Sequence, residues 1–269
     1  MNVLPSRPWA AFPALGAQSV RGVLTDIDDT LTSAGAISDD ALQALQALRD
    51  AGLPVMAITG RPMGWSEPFA RDWPIDAIVA ENGAVALFRE SGVLRVEYAQ
   101  DEATRSANAL RLRAAARRVL GEVPGTTLSR DSDGRVTDIA IDHDEFAHLS
   151  QSQIDQVLRV MREEGMHATV SSIHINGWYG EHTKLTGARW IVQRLLARDI
   201  EAERGQWVYV GDSTNDQLMF GHFPLSVGVA NLLQFAEQLS VWPAYLTQEE
   251  CGAGFAEVAT RLIAARRSP

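Results

Sequence analysis

Val23–Thr30 reads VLTDIDDT, a run in which apolar and β-branched residues suited to a buried strand give way to Asp26, Asp28 and Asp29 and then to the hydroxyl of Thr30. A strand that ends in crowded carboxylates is poor structure on its own, because like charges at that spacing must be solvated or neutralised. In a parallel sheet the carboxyl ends of the strands are where ligands bind. A cation there would relieve the repulsion, and hard carboxylate oxygens suit magnesium. The competing reading, a solvated acidic turn, is settled by what lies further along the chain.

Outward from this stretch, Ser38 is a good N-cap for a helix over DDALQALQALRD, with Asp39 and Asp40 in its first turn, Arg49 in its last and Gly52 as a stop. Pro54–Thr59 is a second buried strand, running into Thr59-Gly60-Arg61. Strand, helix and strand of these lengths form a right-handed βαβ unit, so Thr59 is expected at the same sheet edge as Asp26. A short helix over 65–71 and a third strand over 77–80 lead into Glu81-Asn82-Gly83. That turn sends 84–88 back as a hairpin partner.

The pattern then changes. A strand over 93–98 precedes a helix over 101–120 whose acids come before its arginines, in line with the helix dipole. Segments 126–130 and 135–141 flank the turn Asp131-Ser132-Asp133-Gly134, and a helix over 151–164 precedes a strand over 168–175. This is an α+β module with a mostly antiparallel sheet. From Leu185 the α/β pattern resumes: a helix over 186–198, then a strand over 207–210 that ends in Gly211-Asp212-Ser213-Thr214-Asn215-Asp216. Strands over 225–230 and 244–247 and a helix over 255–266 close the chain. The expected fold class is α/β: a Rossmann-like parallel-sheet core made of residues 1–88 and 182–269, split by an inserted α+β module over 89–181.

A formal net charge of −10 argues against nucleic-acid binding, which needs a basic face for phosphates. Cys251 stands alone, so a disulfide framework and a cysteine zinc site are excluded, and a reducing, cytoplasmic setting fits. The first twenty residues, interrupted by Pro5, Pro8 and Pro13, read as an irregular arm rather than a leader. Phe220–Ala236 lacks charge, but Pro224, Asn231 and Gln234 break it, which fits a strand and a helix better than a membrane span. The six histidines have no metal-ligand spacing on a common face.

Four groups thus fall on strand ends or loops of one parallel sheet: Asp26 with Asp28, Thr59, Lys184, and Asp212 with Asn215 and Asp216. Phosphoryl transfer needs such a set. One carboxylate can attack phosphorus and a second can move the proton. A magnesium ion can offset the charge between nucleophile and substrate, while a lysine and a hydroxyl hold the phosphoryl oxygens.

DIDDT, ITGR, the lysine of HTKLTGARW and GDSTND, in that order, resemble the four motifs of the haloacid dehalogenase-like (HAD) phosphohydrolases. Glu81-Asn82-Gly83 and the place and size of the insertion resemble subfamily IIB, which includes sucrose-, trehalose- and mannosylglycerate-type phosphatases and the Cof-like group. The resemblance implies a magnesium-dependent phosphatase acting on a small phosphorylated metabolite of the sugar phosphate class, with the insertion as a cap domain. It implies Asp26 as nucleophile and Asp28 as general acid/base, the Asp28 backbone carbonyl also reaching the metal. Thr59 and Lys184 would hold the phosphoryl group, and Asp212 would be the second metal carboxylate. Asp216 would act through a metal-bound water or by holding Lys184. Gly60, Arg61, Asn82 and Asn215 would complete the substrate pocket. Asp29 departs from the pattern, standing where many members have glycine.

Two alternatives remain at this stage. A phosphomutase would need cationic residues of the insertion facing the site, for which Arg130 and Arg135 are the candidates. A receiver-like phosphoacceptor shares acids, threonine and lysine but has nothing like GDSTND after the lysine. Trp178 and Tyr179 read either as core of the insertion or as a stacking platform for a sugar.

Overall fold

The computed structural model describes residues 5–267; the first four residues of the expected arm lie outside them. The described part of the arm is built into the fold. Arg7–Pro8 (β1) pairs with a strand near the C-terminus, and Ala14–Gln18 forms a one-turn helix (α1). Trp9 and Phe12 stack at 4.8 Å and are buried against Tyr245, so burial of aromatics fixes a segment that proline had marked as irregular.

The acidic stretch follows β2 (Gly22–Thr25), and a small hairpin of Thr32–Ser33 (β3) and Ala36–Ile37 (β4) leads to α2 (Asp39–Asp50). The Ser38 hydroxyl caps α2 by accepting from the Ala41 amide, as expected. Next come β5 (Val55–Ile58), α3 (Met63–Asp72), β6 (Ala77–Ala80), β7 (Val85–Glu90) and β8 (Val93–Tyr98). The insertion contains α4 (Glu102–Glu122), β9 (Thr127–Leu128), β10 (Asp138–Asp142), α5 (Gln151–Glu163), β11 (His167–Val170) and β12 (His174–Trp178). The chain closes with α6 (Lys184–Leu196), β13 (Trp207–Gly211), α7 (Gln217–His222), β14 (Leu225–Gly228), β15 (Tyr245–Leu246) and α8 (Cys251–Arg267).

Nine strands form the main sheet in the order β1-β15-β14-β13-β2-β5-β6-β7-β8, parallel up to β6 and antiparallel beyond. Side chains alternate across it. Val208 and Val210 join the layer under α2 and α8, while Trp207 and Tyr209 join the layer under α6 and α7. β2 lies at the centre, between β13 and β5, where the order of strands reverses direction. Crevices at such a switch point bind ligands in open α/β sheets.

Two expectations change. The strand over 93–98 belongs to the main sheet, not to the inserted module. Ser91 and Gly92 both adopt positive φ, and a two-residue turn of that kind pairs β8 directly with β7. The single strand expected over 168–175 is two strands, β11 and the start of β12. The Ser171 hydroxyl accepts from the His174 amide and turns the chain back on itself. The smaller antiparallel sheet runs β11-β12-β10-β9, with α4 and α5 packed on it.

Candidate active site

Three adjacent parallel strands deliver the chemistry. Asp26 follows β2, Thr59 follows β5 and Asp212 follows β13, so their side chains emerge together at one sheet edge. Lys184 opens α6, where Thr183 caps the helix by accepting from the Thr186 amide. Its Nζ lies 3.0 Å from Asp26 Oδ1 and 2.7 Å from Asp216 Oδ1. An ammonium has three donors, so one is left for a phosphoryl oxygen. The Thr59 hydroxyl accepts from the Arg61 amide at 3.0 Å and keeps its own proton to donate.

Asp216 has no capacity to spare. Its Oδ1 accepts from Lys184 and from the Tyr209 hydroxyl at 2.5 Å, and its Oδ2 accepts the Asp212 and Ser213 amides. Of the two roles the motif left open, the geometry shows Asp216 holding Lys184. Gly211 permits this, because a Cβ there would run into the Asp216 carboxylate. Tyr209 was missed from the sequence. A buried phenol in an otherwise apolar strand needs a polar partner, and that was the available signal.

Carboxylate oxygens of Asp26, Asp212 and Asp216 lie within 4.8 Å of one another, all buried. Asp212 Oδ1 accepts only a long 3.4 Å bond from Thr30, and its Oδ2 is buried without a partner. Burial, with Asp216 and Asp26 beside it, pushes the Asp212 carboxyl well above its usual range. Burial likewise raises Asp26 to about 7 against the pull of Lys184, with Asp216 and Asp28 adding to the rise. Lys184 is also buried, yet Asp216 and Asp26 outweigh that cost and hold its ammonium charged. Three carboxylates to one ammonium, with one oxygen unpartnered, fit a hard divalent cation on Asp26 and Asp212.

Asp28 turns the other way, its carboxylate accepting from Arg61 Nε at 2.9 and 3.1 Å. Arg61, expected to touch substrate, is fully engaged: Nη1 reaches Asp131 at 3.1 Å and Nη2 reaches Glu145 at 2.9 Å, both in the insertion. Glu145 also pairs with His174 at 2.9 Å. Burial alone would raise Glu145, but the hydrogen bonds from His174 and Arg61 hold it down at about 2. Arg135 is closed in ion pairs with Asp131 and Asp138 and donates to the Gly60 carbonyl, so it offers no free charge. Arg130 lies over the Phe146 ring at 3.5 Å. Of the two arginines a mutase would require, Arg135 thus has its charge committed, while Arg130 rests on a wall residue of a cavity beside Asp28.

Glu81, read only as part of a turn, fastens the insertion to the core. Its carboxylate accepts from the Met63, Val136 and Thr137 amides and from the Thr137 hydroxyl. Its neighbour Gly83 has φ +110° and backs onto the Thr183 carbonyl, where no side chain fits. Asn82 is buried with its Nδ2 unpartnered, and with Asn215 and Lys184 it lines a cavity of about 140 Å³. Gly60 contributes its carbonyl to Asn176 as well as to Arg135. Tyr179 belongs to the core of the insertion, whereas Trp178 stacks between His167 and His182.

Residues 23–115 match the family model for haloacid dehalogenase-like hydrolases. No curated protein matches the chain in sequence. Among solved structures, sucrose-phosphatase from Synechocystis, in complex with sucrose and phosphate, is 18% identical with a TM-score of 0.64, covering 90% of this chain and 98% of its own. The C-terminal domain of trehalose-6-phosphate phosphatase from C. albicans is 14% identical with a TM-score of 0.65, covering 98% and 99%. A HAD subclass IIB sugar phosphatase is 17% identical with a TM-score of 0.60, covering 90% and 96%. These likenesses are likenesses of fold. Residues 23–115 are thus similar to haloacid dehalogenase-like hydrolases, and the fold of those solved structures is shared along most of the chain.

Proposed function

We propose that the protein is a magnesium-dependent phosphatase of subfamily IIB, hydrolysing a small phosphorylated metabolite of the sugar phosphate class through an aspartyl-phosphate on Asp26. The observation that carries this reading is the meeting of Asp26, Thr59 and Asp212 at the ends of neighbouring strands, with Lys184 at the start of α6 lying 3.0 Å from Asp26. The sucrose-phosphatase and trehalose-6-phosphate phosphatase among the structural relatives support the substrate class.

In the first step an Asp26 oxygen attacks phosphorus and the bond to the leaving oxygen breaks. Asp28 gives that oxygen a proton. In the second, Asp28 takes a proton from water, the water oxygen attacks phosphorus, and the bond to Asp26 breaks, releasing inorganic phosphate. Lys184 and Thr59 hold the non-bridging oxygens throughout. Asp26 and Asp212 would hold a magnesium ion, whose positive charge would let an anionic nucleophile meet an anionic ester.

Both Asp28 carboxylate oxygens accept from Arg61 Nε in the state described here, so proton transfer by Asp28 requires Arg61 to let go. We take the α+β layer between β8 and α6 as a cap domain whose movement, through Asp131 and Glu145, frees Asp28 once substrate is enclosed. No helix among the described residues is long and apolar enough to cross a membrane. With one free cysteine and an acidic surface, the setting we propose is cytoplasmic, with a small-molecule partner rather than nucleic acid or membrane.

The test is phosphate release from a panel of phosphorylated metabolites, with and without magnesium, for the wild type and Asp26→Asn. Magnesium-dependent release that vanishes in the variant is expected. A protein that accepts phosphate on Asp26 but never releases it would overturn the reading in favour of a phosphoacceptor.

A further inference from the structure

Tyr209 lies in the middle of β13, fully buried, with Trp207, Val208 and Val210 as its neighbours on the strand. Its ring packs edge-on to Phe220 at 5.9 Å and parallel to Phe223 at 6.3 Å. A phenylalanine would fill this place as well as a tyrosine does. The hydroxyl therefore needs its own reason, because a buried O–H costs stability unless it finds a partner. That partner is Asp216 Oδ1, which accepts from the phenol at 2.5 Å. Burial, with Asp216 and Asp26 nearby, pushes the phenol well above its usual range, so it stays a donor.

Asp216 is the junction between this aromatic core and the phosphoryl corner. A carboxylate has about four lone-pair sites. Here each has a donor: Lys184 Nζ at 2.7 Å and the phenol on Oδ1, the Asp212 amide at 3.0 Å and the Ser213 amide at 3.1 Å on Oδ2. Two of these donors belong to the chemistry. Lys184 runs on to Asp26 Oδ1 at 3.0 Å, and Asp212 is the carboxylate with an unpartnered oxygen. With the phenol on one lone pair of Oδ1, the ammonium has a single direction of approach, and that direction sets where its third N–H points. Without the hydroxyl, Oδ1 opens a second lone pair and pulls harder on Lys184. The ammonium then turns toward Asp216, away from Asp26 and from the phosphoryl oxygen.

We infer that Tyr209 is a positioning residue for phosphoryl transfer, its hydroxyl fixing, through Asp216, the direction in which Lys184 meets Asp26 and the phosphoryl group. The inference rests on the phosphatase reading above. Tyr209 and Asp212 belong to one strand and its end, so the aromatic layer under α6 and α7 holds the lysine and the metal carboxylate in one frame. A displacement of a fraction of an ångström at Lys184 is enough to slow the reaction, because its charge must lie where the transition state needs it.

The experiment measures kcat and KM for p-nitrophenyl phosphate with magnesium, and inhibition by orthovanadate, which mimics the phosphoryl group in transfer. Tyr209→Phe keeps the ring and its contacts and removes only the hydroxyl. It is expected to lower kcat and vanadate affinity by about tenfold while KM moves by less than about twofold, since the loss falls on the transition state. Val208→Ala, on the same strand but facing the other layer, is the control for stability. Its melting temperature is expected to fall while kcat and vanadate binding hold. Melting curves of both variants place the assay well below unfolding. An unchanged kcat in Tyr209→Phe, or an equal loss in Val208→Ala, overturns the inference and leaves the phosphatase reading intact. A wild type that releases phosphate from no substrate overturns both.

Discussion

Two buried charge clusters built from the same residue types meet at this sheet edge and behave in opposite ways. At the phosphoryl corner, Lys184 faces Asp26 and Asp216 with Asp212 beside them, and carboxyls there are pushed up, Asp26 to about 7. At the seam with the insertion, Arg61 faces Asp28, Asp131 and Glu145, with Arg135 and His174 behind; there Asp131 and Glu145 are held down, Glu145 to about 2, while burial pushes up Asp138 behind them. The difference is one of partners. Every carboxylate oxygen of Asp28, Asp131, Asp138 and Glu145 at the seam has a hydrogen-bond partner. The corner is short of positive charge and keeps an unpartnered oxygen on Asp212. A structural cluster saturates itself, whereas a working one leaves room for what it binds.

The largest expected effect tests the corner as machinery. Asp26→Asn should lower kcat by about 10⁴-fold or more, because no other residue can carry the phosphoryl group. It should leave the melting temperature level or higher, since one charge leaves an overcrowded site. A large loss of stability would show that the corner is structural after all.

Arg61→Ala should do the reverse. Three carboxylates lose their shared cation, and unfolding should become easier by about 3–5 kcal/mol, read by urea denaturation. A change below about 1 kcal/mol would mean the seam is no more than a surface network.

Magnesium should raise stability by about 3 kcal/mol when present at roughly a hundred times its Kd. Asp212→Asn should abolish that increment and stabilise the metal-free protein. If the variant keeps the increment, the cation sits elsewhere.

The smallest effect is a pH limb. The folded pKa of Glu145 lies below its usual 4.5, so its contribution is present above about 4.5 and is lost as pH falls toward 2. Glu81 has the opposite sign. Burial, with Asp138 near it, raises it to about 7, so its contribution is full below 4.5 and fades as pH rises through 7. Melting curves of Glu145→Gln and Glu81→Gln should flatten the acid and neutral limbs respectively; a shared limb would mean the two groups titrate as one.

Local chemistry along the chain determined much of this protein. Ser38, the Leu45 and Leu48 face of α2 and the apolar runs that end in Asp26, Thr59 and Asp212 are signals written within a few residues, and they specify the βαβ units and the edge where the motifs meet. The turn at Glu81-Asn82-Gly83 was legible for the same reason. Partners were not. Nothing near Arg61 in sequence announces Asp131 or Glu145, and nothing near Tyr209 announces how tightly it closes on Asp216. The residence of β8 in the main sheet and the docking of Trp9 on Tyr245 also depended on long-range packing. Hydrophobic period, caps and turns are local properties of the backbone and can be read in order. Which charges meet depends on distances that only the folded chain sets, and these distances separate the fully hydrogen-bonded seam from the corner with its unpartnered Asp212 oxygen.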